Sequence, residues 1–212
     1  MIEFEIKNLP DSTMVWPAGK SGYIGYCDNI FDQNFCNSLI DLCLDMPDRS
    51  SYGKTLGGVQ RHIKNSIDWA LDANYDIPQN KEQEFDKRIY DETQKVANLY
   101  RLSFQHLLFH CDEDSFCKRD SGYQVQKYEQ NIGSYTEHLD GALWIDSGPR
   151  TLGLILYLNT VETGGGTQFP IQDITINAVA GRVAVFPAYW THPHSGLMPL
   201  SSDKWIVSTF MY

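Results

Sequence analysis

The chain has 212 residues, 42% hydrophobic and 13% aromatic, with a formal net charge of −10. That length supports one domain, or two small ones, around a sizeable core. The acidic balance argues against a sequence-independent grip on nucleic acid, which needs Lys and Arg against phosphates, and the chain lacks the run of about 18 apolar residues that spans a membrane.

The N-terminal stretch "MIEFEIKNLPDS" brings acidic residues early and lacks the basic-then-apolar order of a secretory leader, so a cytoplasmic location is expected. Asp32 is placed to cap a helix over residues 33–45, with Phe35, Leu39 and Leu42 at helical spacing and Cys36 and Cys43 on one face. The five cysteines, Cys27, Cys36, Cys43, Cys111 and Cys117, include no Cys-x-x-Cys pair. They are expected to be free buried thiols rather than a zinc finger. "SYGKTLGGVQ" is Gly-rich and is expected to be a mobile loop.

A longer helix is predicted from Lys81 to Phe109. Asn80 and Gln83 resemble a capping box, Glu82 and Glu84 suit the positive end of the dipole, and Phe85, Ile89, Val96, Leu99, Leu102 and Leu107 form the buried stripe. From Gly122 the texture changes. "TLGLILYLNT", "RVAVFPAYW" and "KWIVSTFMY" are short, β-branched and aromatic, and are bounded by Gly, Pro and Asn. No helical segment intervenes, so the strands should be mostly antiparallel and form a sandwich or jelly-roll with the helices packed on one sheet. The expectation is an α+β fold in a single domain over 1–212. Residues 1–120 would be mainly helical support and loops, and 121–212 would carry the main strands.

Within "SYTEHLDGALW", His138 and Asp140 are two apart, so in an extended segment both project to one face. An imidazole and a carboxylate are two ligands, and a facial iron site needs a third, usually a distant His. His192 and His194, in "FPAYWTHPHSG", both stand near the end of an apolar strand and both qualify. His62, His106 and His110 lie in the helical half and suit the surface or packing. Two nitrogens and one carboxylate oxygen would leave three coordination positions open for chemistry. On these residues alone the bland alternative stands: His-x-Asp in a loop, and a surface histidine pair.

The order of motifs over residues 122–212 resembles the Fe(II)/2-oxoglutarate dioxygenases, specifically their prolyl 4-hydroxylase-like branch. The resemblance runs through Tyr128 and Gly133 ahead of His138-x-Asp140, the strand Tyr157-Leu158-Asn159, the turn "GGGTQFP" ending at Pro170, and a distal His with a Lys ten positions on, His194 and Lys204. His192 lies twelve positions from that Lys, so the family spacing selects His194.

The resemblance implies a double-stranded β-helix of the jelly-roll kind, with Fe(II) on His138, Asp140 and His194. It implies 2-oxoglutarate as co-substrate, with its distal carboxylate met by Lys204, Tyr157 and Thr167, and with Tyr128 and Tyr135 lining the pocket. Dioxygen would be consumed, succinate and carbon dioxide would be the co-products, and ascorbate would serve as a reductant. The implied reaction is hydroxylation of a peptidyl proline, with a protein or peptide as partner. Arg150, seven residues before Tyr157, matches an arginine bordering the family's substrate channel. The Gly-rich "SYGKTLGGV" segment and the loop from Gly141 to Pro149, which carries Trp144, are candidates to cover a bound peptide. Phe210 stands six residues after Lys204, where the family usually has Trp, which alters the wall beside the iron. Two other readings remain: the same chemistry on another side chain or a small molecule, and a non-catalytic jelly-roll binding module.

Overall fold

The structure, a computed structural model, describes residues 14–72, 80–104, 117–141 and 149–212. Its elements in chain order begin with β1 (Gly25–Cys27), α1 (Gln33–Leu44), β2 (Ser51–Tyr52), β3 (Lys54–Thr55), β4 (Gly58–Val59), β5 (Lys64–Asn65) and β6 (Ile67–Ala70). They continue with α2 (Lys81–Leu102), β7 (Gln124–Tyr128), β8 (Ser134–His138), β9 (Leu152–Tyr157) and β10 (Thr167–Phe169). The chain finishes with β11 (Ile174–Ile176), β12 (Val183–Pro187), β13 (His194–Gly196) and β14 (Lys204–Met211). A seven-stranded sheet, ordered β1-β12-β9-β14-β7-β6-β2, faces a five-stranded sheet ordered β11-β10-β13-β8-β5. Every described pairing is antiparallel. The fold is α+β, a jelly-roll with two α-helices among the described residues.

The period-two alternation of the long strands divides the interior into two cores. On β9, Leu152, Leu154 and Leu156 join Val183 and Val185 of β12 and Trp205, Val207 and Met211 of β14 in one cluster with the helices. The alternate residues, Ile155 and Tyr157, Ala184 and Phe186, and Ile206, form the second cluster inside the roll. A strand buried on both faces reads as a continuous apolar run, as "LGLILY" does.

Helix α1 begins as expected: the Asp32 carboxylate accepts the Phe35 N–H at 2.8 Å, and Phe35, Cys36, Leu39 and Cys43 are buried. Cys27, Cys36, Cys43 and Cys117 are free and buried, and burial pushes the Cys36 thiol up to about 11. Cys111 lies outside the described residues. At the start of α2 the Asn80 side chain accepts the Glu82 N–H at 3.0 Å, while the Gln83 N–H bonds the Asn80 carbonyl. The helix ends at Leu102 rather than Phe109, and its last turn tightens: the Ser103 N–H is shared between the Leu99 and Tyr100 carbonyls, and the Phe104 N–H bonds the Arg101 carbonyl. Leu107 lies outside the described residues.

The N-terminal half holds more strand than its sequence announces. β1, β2 and β6 complete the larger sheet, and β5 edges the smaller one. The "SYGKTLGGVQ" segment, read as a loop, contains the β3–β4 hairpin, with Lys54 opposite Val59 and Thr55 opposite Gly58. Strands of two to four residues are too short to display alternation and are defined by their tertiary pairing. Among the described residues no helix is long and apolar enough to cross a membrane.

Gly181 locks α1 to the roll. Its carbonyl accepts the N–H groups of Ile30 and Phe31, its own N–H donates to Tyr157, and its φ is +77°. A Cβ there would sit 2.1 Å from the Phe31 carbonyl oxygen. Gly181→Ala is therefore expected to lower the unfolding free energy by at least about 2 kcal/mol, read as a lower midpoint in urea at unchanged slope.

Candidate metal centre

Strand β8 ends at His138, and Asp140 follows in the bend beyond it. β13 pairs antiparallel with β8 and sets His194 directly opposite His138. His138 Nε2 lies 3.5 Å from Asp140 Oδ1, and His194 Nε2 lies 3.3 Å from Oδ2. Each of the three residues offers a donor atom within 4.8 Å of the others, a set that could hold a metal ion.

Hydrogen bonds behind these side chains fix their tautomers. His138 Nδ1 lies 2.8 Å from the Thr136 carbonyl, and His194 Nδ1 lies 3.1 Å from the His192 carbonyl. A carbonyl oxygen only accepts, so both Nδ1 atoms carry the proton and both Nε2 lone pairs face Asp140. The Tyr135 ring stacks on His138 with centroids 3.5 Å apart and planes at 12°. Phe186 meets His194 edge-on at 4.8 Å. Burial pushes the His194 imidazole towards its neutral form. Burial also raises the Asp140 carboxyl, but the neighbouring His138, His194 and Arg150 outweigh it and hold the group below the usual carboxylate range. A neutral imidazole and an ionised carboxylate are the forms that bind a cation.

His192 is engaged elsewhere. Its Nε2 donates to the Gly22 carbonyl at 3.1 Å, and its Nδ1 lies 2.8 Å from the Thr191 hydroxyl. The structure thus brings His194, and not His192, to His138 and Asp140. His62 is exposed, and His106 and His110 lie outside the described residues.

These groups open onto a cavity of about 630 Å³ inside the roll. Lys204, 1% exposed, lines it with its ammonium 4.5 Å from the Tyr128 ring centroid. Burial lowers its pKa to about 7, and no carboxylate among the described residues pairs with it. An uncompensated buried ammonium is costly, and an anion from outside could relieve it here. Thr167 lines the same space and shares a hydrogen bond of 2.6 Å with the Tyr157 hydroxyl. Gly196, opposite Thr167 in the sheet, leaves open the space beside the ammonium, 3.5 Å from where its Cβ would stand. These residues fit a dicarboxylate whose far end meets Lys204.

The upper wall carries the remaining residues expected from sequence. Arg150 Nη1 donates to the Asp140 carbonyl at 2.9 Å, and its guanidinium lies 3.7 Å over the Phe210 ring. Lys204, Ile206, Ser208 and Phe210 all line the cavity, as their even spacing on β14 requires. Trp144 lies outside the described residues.

Several features were missed in the sequence. The wall includes Gln124 and Gln126 of β7, and the Tyr128 hydroxyl donates to Gln126 Oε1 at 2.7 Å while Gln126 Nε2 donates to Ser208 at 2.8 Å. Lys64 also lines it and pairs with Asp68 at 2.7 Å. The polar alternation of "YQVQKY" was the available signal for the two glutamines. Gly141 is required because a Cβ there would lie 1.6 Å from the Ala188 carbonyl oxygen. Its position directly after Asp140 was the clue.

Comparison with known proteins places this geometry. Residues 123–212 match the family model of the 2OG-Fe(II) oxygenase superfamily. No curated protein sequence matches the chain. Among solved structures, the viral collagen prolyl hydroxylase of Paramecium Bursaria Chlorella virus-1, in its 2OG complex, aligns with a TM-score of 0.63 at 21% identity, covering 89% of this chain and 95% of that one. A Pseudomonas putida prolyl-4-hydroxylase aligns with a TM-score of 0.63 at 16% identity, covering 90% and 93%. A Trichoplax adhaerens prolyl hydroxylase, in complex with a hypoxia inducible factor peptide fragment, aligns at 0.60 and 12%, covering 92% and 86%.

His138→Ala and His194→Ala are each expected to abolish stoichiometric retention of Fe(II), or of Ni(II) in its place, in purified protein. His192→Ala is expected to keep it. Metal analysis after dialysis distinguishes them.

Proposed function

We propose that this chain, whose residues 123–212 match the family model of the 2OG-Fe(II) oxygenase superfamily, hydroxylates a peptidyl proline, with succinate and carbon dioxide as co-products. The observation that carries the reading is the joint presence, in one cavity, of the His138–Asp140–His194 donor set and the uncompensated ammonium of Lys204.

Fe(II), when bound, supplies the oxidative chemistry that couples decarboxylation of 2-oxoglutarate to C–H hydroxylation. The protein's share is to bind, orient and shield. His138, Asp140 and His194 would hold the metal. Lys204 takes the distal carboxylate of 2-oxoglutarate, with Thr167 and Tyr157 supplying hydroxyl contacts. Tyr128 and Tyr135 close the sides of the co-substrate pocket. The Ile206 and Phe186 side chains exclude water from its floor. Arg150 and Phe210 form the wall against which the target side chain is presented.

A second reading, the same chemistry on a more polar side chain, draws support from the Gln124–Gln126–Ser208 wall and from Phe210 in place of the family's usual Trp. One experiment decides between them. A library of short peptides is incubated with Fe(II), 2-oxoglutarate and ascorbate, and the site of an added oxygen is mapped by mass spectrometry. Oxygen on proline, with matching succinate, supports the first reading, and oxygen on another side chain replaces it with the second. Succinate production that no peptide stimulates removes the peptide reading.

Lys204→Ala is expected to weaken 2-oxoglutarate binding by about ten- to a hundredfold with metal retained, since a charge-assisted hydrogen bond contributes roughly 1.5–3 kcal/mol. pH gives an independent check. The ammonium, not the amine, binds the carboxylate, and in the free site its pKa is about 7. As pH rises above that value, a proton must be taken up for each co-substrate bound. Affinity should then fall by up to about tenfold per pH unit until the pKa of the complex is reached. Lys204→Arg, always charged, should flatten this dependence, as read by co-substrate titration of the Ni(II) protein between about pH 6 and 9.

A further inference from the structure

The cavity wall is charged against the grain of the chain. The protein carries a formal net charge of −10. Yet among the described residues lining the cavity the basic side chains are Lys54, Lys64, Arg150 and Lys204, and the one carboxylate is Asp140. Lys64 is neutralised by Asp68. On the reading above, a divalent cation and dianionic 2-oxoglutarate are balanced between themselves, and Asp140 balances Lys204. Two positive charges, Arg150 and Lys54, are left facing whatever substrate enters. Glu137, the acidic residue of β8, alternates with His138 and does not line the cavity.

Arg150 is already engaged with the Asp140 carbonyl and the Phe210 ring. Lys54 is not. It is exposed on the first strand of the β3–β4 hairpin, and among the described residues its side chain has no hydrogen-bond or ion-pair partner. Beside it Leu56, at the hairpin's turn, is 85% exposed while also lining the cavity. A cation and an apolar side chain held out together at the rim suit a chain that carries both a carboxylate and an apolar residue. Positive charge concentrated in a cleft also offsets the repulsion that a −10 protein exerts on an acidic segment.

We propose that the substrate is an acidic peptide, with a Glu or Asp close to the hydroxylated residue, and that Lys54 receives that carboxylate at the rim of the cavity. This rests on the reading that a peptide is hydroxylated here, and the experiment separates the two.

The test uses the full chain loaded with Ni(II) and 2-oxoglutarate, so that the probe is bound and not consumed. Three fluorescent peptides of equal length share a central proline and differ only in flanking Glu, Gln or Lys. Anisotropy titration is expected to show the Glu peptide binding about tenfold tighter than the Gln peptide and the Lys peptide weakest, with the gap shrinking at about 0.5 M salt. Lys54→Gln should remove most of the preference for Glu. Lys54→Glu should invert it, so that the Lys peptide binds tighter than the Glu peptide, and this gain also shows that the variant is folded. Equal binding of the three peptides, or a preference for Glu that survives Lys54→Glu, overturns the proposal. So does equally tight binding of a single blocked glutamate residue, which would mean recognition of a free carboxylate rather than of a peptide. The same peptides are then incubated with the Fe(II) protein. Lys54-dependent binding of the Glu peptide without oxygen on its proline sinks the proline reading and leaves the acidic-peptide assignment standing. Proline oxidation indifferent to flanking charge does the reverse.

Discussion

The site depends on one register. β13 is three residues long, and its pairing with β8 puts His194 across from His138. A slip of one residue would turn the His194 side chain to the other face of the small sheet and dissolve the donor set. The register is held from both sides. β10 pairs with the far edge of β13, setting Thr167 opposite Gly196, and the Leu197 N–H donates to the Gly166 carbonyl just beyond. The backbone around the site also serves as its outer ligand shell: the Thr136 and His192 carbonyls that orient the imidazoles belong to the same short strands or their flanks. Pairing and tautomer are therefore set together, before any metal arrives.

The larger sheet supplies the opposite requirement, a charge where no charge is cheap. Lys204 begins β14, directly across from Tyr128 on β7, and its side chain turns into the roll because Trp205 must face the helices. The Trp205 ring stacks on Trp69 at 5.4 Å on that outer face. The helix–sheet core thus fixes the rotation of β14, and the rotation delivers Lys204, Ile206, Ser208 and Phe210 inward at every second residue. Free-energy cost at the ammonium is tolerated because the surrounding apolar packing is extensive, and an anion bound there would relieve it.

Legibility in the sequence followed the length of the pattern. β9, β12 and β14 are long apolar runs, so the jelly-roll half could be read, and the even spacing from Lys204 to Phe210 placed both on one wall. Asp32 and Asn80 announced their helices because a cap is a local interaction. The short strands β1 to β6 were not visible, since two to four residues show no period and β1, β5 and β6 pair with strands far away in the chain. The choice between His192 and His194 could not be made from local pattern, because both follow the same strand. Family spacing selected His194, and the structure shows where His192 goes instead: to the Gly22 carbonyl, which no sequence rule connects to it. Lys64 and Asp68 escaped for a related reason. They stand on different sheets, β5 and β6, and meet only because the chain turns a corner between them.

Arg150 joins parts of the site that would otherwise be independent. One guanidinium donates to the backbone of the residue carrying the central carboxylate and lies over the ring of Phe210, the last wall residue of β14. Its Nε is buried with no partner among the described residues, so the ring beneath it and the carbonyl beside it are the contacts that hold the group. Packing on the substrate wall is therefore felt at Asp140. A different aromatic at position 210 would move the guanidinium, and with it the bend that follows β8, without touching any donor atom. Phe210 thus bears on the cavity wall and on the support of Asp140 at once.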